Sequence, residues 1–194
     1  MNFPLQLRFK IFAIAPQISV TDASGALVLY IKQRAFKLKE AVSVFADRAQ
    51  NQPLYTIAAD RVLDFNAQYH FSSASGARLG AVRRHGARSL FKAYYEILHD
   101  GATALRIHEA NPWMKVLDGV FGDIPVLGLF AGYFFHPAYL VTRVDGAPVL
   151  RLKKQPAFLE GKYEIRALDA MDETDTQLAV LGLVMIVLLE RRRG

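Results

Sequence analysis

Apolar and polar residues alternate along most of this chain, and short turns ending in Gly-Ala separate the alternating segments. A period of two is typical of strands with one buried and one exposed face. The unit of turn and strand occurs at 21–33 (TDASGALVLYIKQ), 72–84 (SSASGARLGAVRR), 98–109 (LHDGATALRIHE) and 144–154 (VDGAPVLRLKK). The sequence therefore predicts a mainly β protein built from hairpins.

Glycines mark the four turns, because tight hairpin turns need the positive φ that glycine adopts at little cost. They are Gly25, Gly76, Gly101 and Gly146. Asp100-Gly101 and Asp145-Gly146 have the composition of two-residue type I′ turns. Folding the third hairpin about Asp100-Gly101 is expected to place Ile97 opposite Ala104.

Further strand-like runs at 36–47, 53–60, 90–97 and 162–168 raise the expected total to roughly ten to twelve strands. The turn glycines are 51, 25 and 45 residues apart, which argues against a solenoid or propeller of fixed repeat length. A single antiparallel sheet of that many strands usually closes on itself or splits. A closed antiparallel barrel of about twelve strands is the predicted fold.

The last stretch, TQLAVLGLVMIVLLERRRG, is apolar at every position from Leu178 to Leu189 apart from one glycine. A helix without a polar face must be enclosed on all sides. The 14 uncharged residues at 176–189 span about 21 Å as a helix, whereas a bilayer needs about 20 residues. Because larger barrels can hold a central helix, we expect a buried hydrophobic helix at 176–190 inside the barrel. Thr174 and Gln177 form its predicted capping box.

The bulk composition limits the protein's class and its partners. A chain of 194 residues fits a single domain, 1–194. It has no cysteine, which suits a reducing compartment, so the expected location is the cytoplasm with peripheral attachment to a membrane. The formal net charge of +6 permits an anionic partner. Nucleic acid is not expected, since aromatic residues do not interleave with the basic ones in a binding motif.

The order of these pieces resembles a known superfamily. The run VTDASGALVLYIKQRAFKLKEAVSVFAD, the Gly-Ala hairpins, GYFFHPAYLV and the terminal MIVLLERRR are together similar to the tubby-like superfamily, in particular its LURP-one-related and phospholipid-scramblase-like branch. The resemblance covers nearly the whole chain and rests on strand pattern rather than a catalytic signature. It implies a twelve-stranded barrel around a hydrophobic C-terminal helix, with association to membranes and lipids in some relatives.

A second uncharged run, Ile124–Val141, is 18 residues long and contains Gly128-x-x-x-Gly132. Its length alone would allow it to span a membrane. Pro125, His136-Pro137 and the strand-like AYLVTRV that follows favour a buried loop and strand instead. A peripheral hydrophobic patch that touches a bilayer is the intermediate interpretation.

Catalytic motifs are scarce, so the protein is not expected to be an enzyme. The sequence contains no GxSxG, HExxH, GxxxxGK[ST] or GxGxxG motif. Ser89 and Lys92 match S-x-x-K, which can pair a serine nucleophile with a lysine base, but the run is more typical of a strand. No cofactor is expected.

Two groups of polar residues are candidate metal ligands. Around the third turn, His99, Asp100, His108 and Glu109 could in principle hold a metal, but solvated hairpin charges are the favoured interpretation. The acidic stretch 168–175 (LDAMDETD) lies where scramblases of the resembled superfamily carry a segment associated with calcium. It has neither the spacing nor the central glycine of an EF-hand loop, and helix capping explains most of its carboxylates. No metal site is predicted.

Basic side chains are the remaining candidates for function. The predicted lipid-binding residues are Arg83, Arg84, Arg88, Lys92, Arg151, Lys153 and Lys154. Each cation near an anionic surface contributes about 1 kcal/mol of attraction. The leading hypothesis is a non-enzymatic barrel that binds anionic phospholipid headgroups or a membrane surface. The alternatives are a cytoplasmic scaffold for a protein partner and an integral, lipid-translocating scramblase.

Overall fold

A computed structural model describes residues 1–10, 17–32, 41–60, 67–85, 94–110, 138–157 and 160–191. These ranges contain twelve strands and one helix. The strands are β1 (Leu5–Lys10), β2 (Gln17–Thr21), β3 (Leu27–Lys32), β4 (Val42–Phe45), β5 (Pro53–Ala59), β6 (Gln68–Ser73), β7 (Arg78–Arg84), β8 (Tyr94–His99), β9 (Ala102–Glu109), β10 (Ala138–Arg143), β11 (Pro148–Gln155) and β12 (Glu160–Ala167). The helix, α1, spans Glu173–Arg191.

The strands form a closed antiparallel barrel, as the alternation predicted. Each strand pairs with the strands before and after it in the chain, and β1 pairs with β12 to close the sheet. Successive connections therefore alternate between the two ends of the barrel. We call the end with the short turns at 22–26, 46–52, 74–77, 100–101 and 144–147 the hairpin end, and the opposite end the loop end. Because β12 finishes at the hairpin end, α1 begins there and runs toward the loop end.

The helix occupies the interior of the barrel. Every residue from Leu178 to Leu188 is buried, which requires protein on all sides of a helix whose side chains point in every direction. A Cβ at Gly182 would lie 3.2 Å from Ile107 Cδ1 on β9 and 3.3 Å from Val82 Cγ2 on β7. Glycine thus lets the helix approach the wall at this level, and the predicted central helix is confirmed.

Asp172 caps the start of the helix, not the predicted Thr174. The Asp172 carboxylate accepts the backbone N–H of Asp175 at 2.7 Å, and its carbonyl accepts the N–H of Thr176 at 3.0 Å. Asp is as good an N-cap as Ser or Thr, and it sits two residues earlier. The helix therefore gains Glu173 and Asp175 in its first turn, where carboxylates favour the positive end of the helix dipole.

All four turn glycines have positive φ, but only one of the two predicted type I′ turns is confirmed. Asp100 and Gly101 have φ of 48° and 80°, as a type I′ turn requires. At the fourth turn Gly146 N–H donates to the Arg143 carbonyl at 3.0 Å, and Arg143 N–H donates to the Ala147 carbonyl at 2.9 Å. That pattern is a three-residue loop, which needs positive φ only at its glycine. The two-residue prediction at Asp145-Gly146 was wrong.

The third hairpin differs by one residue from its predicted register. Ile97 lies opposite Leu105 rather than Ala104, because a bulge between Ile97 and Leu98 shifts the pairing. The shift places the fully buried Ile97 and Leu105 on the same inner face. Core packing therefore overrides the pairing expected from the turn alone.

Part of the sequence predictions falls outside the described residues. Strands β5 and β12 match the runs at 53–60 and 162–168, and β4 and β8 match the described parts of 36–47 and 90–97. Of the apolar run Ile124–Val141, only 138–141 is described, as the start of β10. Within the described ranges, no helix combines the length and the apolar character needed to cross a bilayer.

Candidate anion-binding surface

Five basic side chains lie on the outer face of three neighbouring strands, β11, β12 and β1. Leu7, Leu152 and Ile165 on these strands are fully buried, so the residues between such positions point outward. The outward cations are Arg8, Arg151, Lys153, Lys162 and Arg166. We call this set the cationic wall.

The register places like charges directly opposite each other on the cationic wall. Arg8 pairs with Lys162 across β1 and β12, and Arg151 pairs with Arg166 across β11 and β12. Like charges at opposed positions destabilise a sheet. An anion bound between the strands would relieve this repulsion, so the arrangement suits an anionic ligand.

Glu164 is the carboxylate in the middle of the cationic wall. It accepts a hydrogen bond from Arg166 Nε at 2.5 Å and one from Gln6 Nε2 at 3.1 Å. The hydrogen bond from Arg166 lowers the pKa of Glu164, although partial burial acts to raise it. Lys153 lies directly opposite Glu164 on β11 and also stabilises its negative charge, so this carboxylate partly offsets the charges of both Arg166 and Lys153.

The structure divides the predicted lipid-binding residues. Arg151 and Lys153 belong to the cationic wall, but Lys154 follows the buried Leu152 by two positions and so occupies an inward register position. Arg83 and Arg84 end β7, which β8, β9 and β10 separate from β11. Arg88 and Lys92 lie outside the described residues. The described members thus form two separate groups rather than one surface.

Arg83 is already engaged by a carboxylate. Its Nη2 donates to Glu96 Oε2 at 2.8 Å, and His85 Nε2 lies 2.6 Å from the same oxygen. Burial acts to raise the pKa of Glu96, but the hydrogen bonds from Arg83 and His85 outweigh it and lower the pKa. Arg84 shares the inner face with Val82, which contacts the helix. This end of β7 is therefore less suited to an external anion than the cationic wall.

The hairpin end of the barrel is acidic. Its carboxylates are Asp22, Asp47, Asp100, Asp145, Asp169, Asp172, Glu173 and Asp175. Of the basic side chains there, Arg143 is paired with Asp169 at 2.6 Å, and Arg48 and Arg78 are exposed. Among the described residues, carboxylates are therefore concentrated at the hairpin end, whereas the cationic wall lies on one side of the barrel.

A cavity at the hairpin end has the opposite character to the cationic wall. It has a volume of about 580 Å³ and is lined by Phe3, Tyr55, Met171, Asp169 and Glu173 among others. Carboxylates beside apolar side chains would repel an anion. This cavity does not fit the ligand class that the cationic wall suits.

At the other end of the helix, Glu190 accepts hydrogen bonds from two buried tyrosines. Tyr139 on β10 donates to one of its oxygens, and Tyr163 on β12 donates to the other at 3.2 Å. Burial, together with the nearby carboxylate, raises the pKa of both tyrosines. The hydroxyls compensate a negative charge at the unfavourable end of the helix dipole. They also tie the end of the helix to two strands.

The candidate metal ligands do not come together in one site. His99 Nε2 lies 3.7 Å from Asp100 Oδ2, while the His108 ring lies 3.4 Å from the Glu109 backbone carbonyl. In the acidic stretch, Asp169 is bound to Arg143 and Asp172 caps the helix. Across the parts of the chain that the structure describes, no three metal-ligating side chains come together.

The comparisons with known proteins do not identify a family. No family model, curated protein or solved structure matches the chain. The resemblance to the tubby-like superfamily therefore stays a prediction, although the twelve-stranded barrel and central helix that it implied are present.

Sequence reasoning missed Arg8, Lys162 and Arg166. Alternation within β1 and β12 does place these side chains on the exposed face, so that part of the signal was available. Their meeting with Arg151 and Lys153 depends on the closure of the barrel between β1 and β12. Two strands 150 residues apart in sequence give no local sign that they are neighbours.

Proposed function

We propose that this protein is a non-enzymatic barrel that binds anionic phospholipid headgroups at a membrane surface through the cationic wall. Among the described residues, the buried helix residues 178–188 occupy the interior of the barrel, and this space is not open to a substrate, which supports binding rather than catalysis.

The separation of charge is the observation that carries the proposal. Exposed cations stand together on one side of the barrel, while carboxylates crowd the hairpin end. An anionic bilayer attracts the first and repels the second, so the field orients the molecule as well as holding it. A uniformly distributed charge of the same size would attract the molecule to the bilayer but would not orient it.

The expected strength follows from the number of cations. Each Lys or Arg near an anionic membrane contributes about 1 kcal/mol, which is about a fivefold change in partitioning. Neutralising Arg151 and Lys153 together should weaken binding about 25-fold. The attraction is screened within about 8 Å at physiological salt, so added salt should release the protein.

Vesicle flotation tests the proposal. The protein is mixed with vesicles of phosphatidylcholine alone or of phosphatidylcholine with phosphatidylserine, and the floated fraction is measured. We expect flotation only with the anionic vesicles and a loss in Arg151→Gln/Lys153→Gln. Arg78→Gln is the matched control, because Arg78 is an exposed arginine at the hairpin end and should change partitioning less than twofold.

Equal absence of binding to both kinds of vesicle would overturn the proposal, and so would equal binding to both. Co-purification of one protein partner in salt that abolishes vesicle binding would instead favour the scaffold hypothesis. Retention of the protein in the membrane pellet after alkaline carbonate extraction would favour the integral, lipid-translocating hypothesis.

A further inference from the structure

A small cleft adjoins the cationic wall on the outer face of β1, β2 and β3. It has a volume of about 180 Å³, enough for one compact polar group. Its lining includes Arg8, Gln17, Ser19, Tyr30, Arg48 and Glu160. None of these residues was predicted from the sequence as part of a site.

Sheet pairing builds the floor of the cleft. Arg8 on β1 lies opposite Ser19 on β2, and Ser19 lies opposite Tyr30 on β3. The three side chains therefore stand in a row across the strands on the outer face. Tyr30 is 5% exposed, so its ring forms a fixed base for the row.

Arg48 reaches the cleft from the turn between β4 and β5. β4 pairs with β3 so that Phe45 lies opposite Tyr30, and this brings the turn at 46–52 to the edge of the row. The Asp47 carboxylate holds the turn by accepting the N–H groups of Asn51 at 3.1 Å and Gln52 at 2.7 Å. The backbone that carries Arg48 is therefore well defined.

The two arginines are available for a ligand. Both are exposed, and in the described structure neither forms an ion pair with a carboxylate. Lys162, directly opposite Arg8, adds a third positive charge nearby. Glu160 is the one acidic residue among the lining side chains named above, so the cleft is net positive.

We propose that this cleft binds a phosphate group, with Arg8 and Arg48 as its charged ligands and the Tyr30 and Ser19 hydroxyls as further donors. Guanidinium groups match phosphate oxygens with paired, charge-assisted hydrogen bonds. If the phosphate belongs to a lipid headgroup, the proposal rests on the proposed membrane function. A soluble phosphate ester would present the same chemistry.

Calorimetric titration with glycerol 3-phosphate tests the site without a membrane. We expect saturable binding by the wild-type protein, and at least tenfold weaker binding by Arg8→Gln and by Arg48→Gln, because hydrogen bonds to charged groups are among the strongest. Tyr30→Phe should weaken binding several-fold. Glu160→Gln should strengthen it, since a repelling charge is removed. Arg78→Gln, at an exposed position away from the cleft, serves as the control and should bind as the wild type does.

Flotation with vesicles containing phosphatidic acid, whose phosphate is exposed, separates the two sources. Loss of binding to these vesicles in both Arg8→Gln and Arg48→Gln that clearly exceeds the about fivefold effect of one cation identifies a lipid phosphate. Binding of glycerol 3-phosphate without any vesicle binding supports the cleft, identifies a soluble ester and overturns the proposed membrane function. Vesicle binding that needs Arg151 and Lys153, with no glycerol 3-phosphate binding, no effect of Arg48→Gln and only the about fivefold loss of one wall cation in Arg8→Gln, overturns the cleft and leaves the membrane function standing.

Thermal melting of each variant excludes an indirect effect. Arg8 and Arg48 are exposed, so their substitution by Gln should leave the midpoint within about 2 °C of the wild type. If an arginine variant loses its fold, its weakened phosphate binding supports the cleft only when Tyr30→Phe also weakens binding. Tyr30→Phe keeps the aromatic ring and removes only the hydroxyl. An unchanged affinity in Tyr30→Phe together with unfolded arginine variants would overturn the proposal.

Discussion

Leu183 is the side chain whose removal tests most directly whether the helix fills the barrel. It lies in the middle of the apolar run, is 0% exposed and belongs to the central hydrophobic cluster. Leu183→Ala removes three buried carbon atoms and leaves a cavity, because a closed sheet cannot collapse freely around the helix. If the helix were packed on the outside of the barrel, a residue on its solvent side could be truncated at little cost.

The expected loss follows from these two contributions. Truncation of a buried leucine to alanine costs about 2–5 kcal/mol, and a rigid enclosure favours the upper half of that range. For a chain of this length, each kcal/mol shifts the melting midpoint by about 2–4 °C. Leu183→Ala should therefore lower the midpoint by about 7–20 °C, and Leu183→Arg should prevent soluble folding because it buries an unpaired charge.

Circular dichroism melting and urea unfolding measure this loss. Leu168→Ala is the matched control, since Leu168 is 48% exposed just before the helix and should shift the midpoint by less than about 2 °C. A Leu183→Ala protein that melts with the Leu168→Ala control would refute the enclosed helix. A soluble, folded Leu183→Arg protein with an unchanged midpoint would refute it as well.

Two further variants test other contacts. Burial and the Glu190 carboxylate hold the pKa of Tyr139 above its usual value of 10.0. The stability that the protonated Tyr139 hydroxyl contributes to the fold is therefore present below pH 10 and is lost as the pH rises above 10. Tyr139→Phe should flatten this alkaline decline in urea unfolding, and an equally steep decline in the variant would contradict the assignment. In Gly80→Ala the new Cβ would lie 2.5 Å from the Leu98 carbonyl oxygen and 2.9 Å from Leu178 Cδ2. Because a backbone atom must move, we expect about 1–3 kcal/mol of destabilisation, whereas a wild-type melting curve would show that β7 and β8 adjust freely.

The fold was largely predictable because its signals are local. Positive φ at Gly101 and Gly146, period-two alternation and an apolar stretch too short for a bilayer each depend on a few neighbouring residues. The details that failed depend on competition between local and distant contacts. Asp172 rather than Thr174 caps the helix, and a bulge moves Ile97 to face Leu105, so that both side chains lie in the core.

The candidate site was predictable only in part. Arg151 and Lys153 were found, since neighbouring cations on one strand are visible in sequence. Their fellow members of the cationic wall come from β1 and β12, and the cleft joins a residue of β1 to one in the turn after β4. Arg83 was equally basic in sequence, yet the pairing of β7 with β8 places Glu96 beside it and neutralises it.

The sequence by itself determined that this chain forms hairpins, that its last helix is enclosed and that its overall charge is positive, because these properties are set by short-range periodicity and by composition. Only the tertiary structure decided which charges share a surface. Closure of the barrel between β1 and β12 gathers cations from both ends of the chain on one wall, and the alternation of its connections collects carboxylates at the hairpin end. Charges act through distance in space, and a linear sequence does not contain those distances.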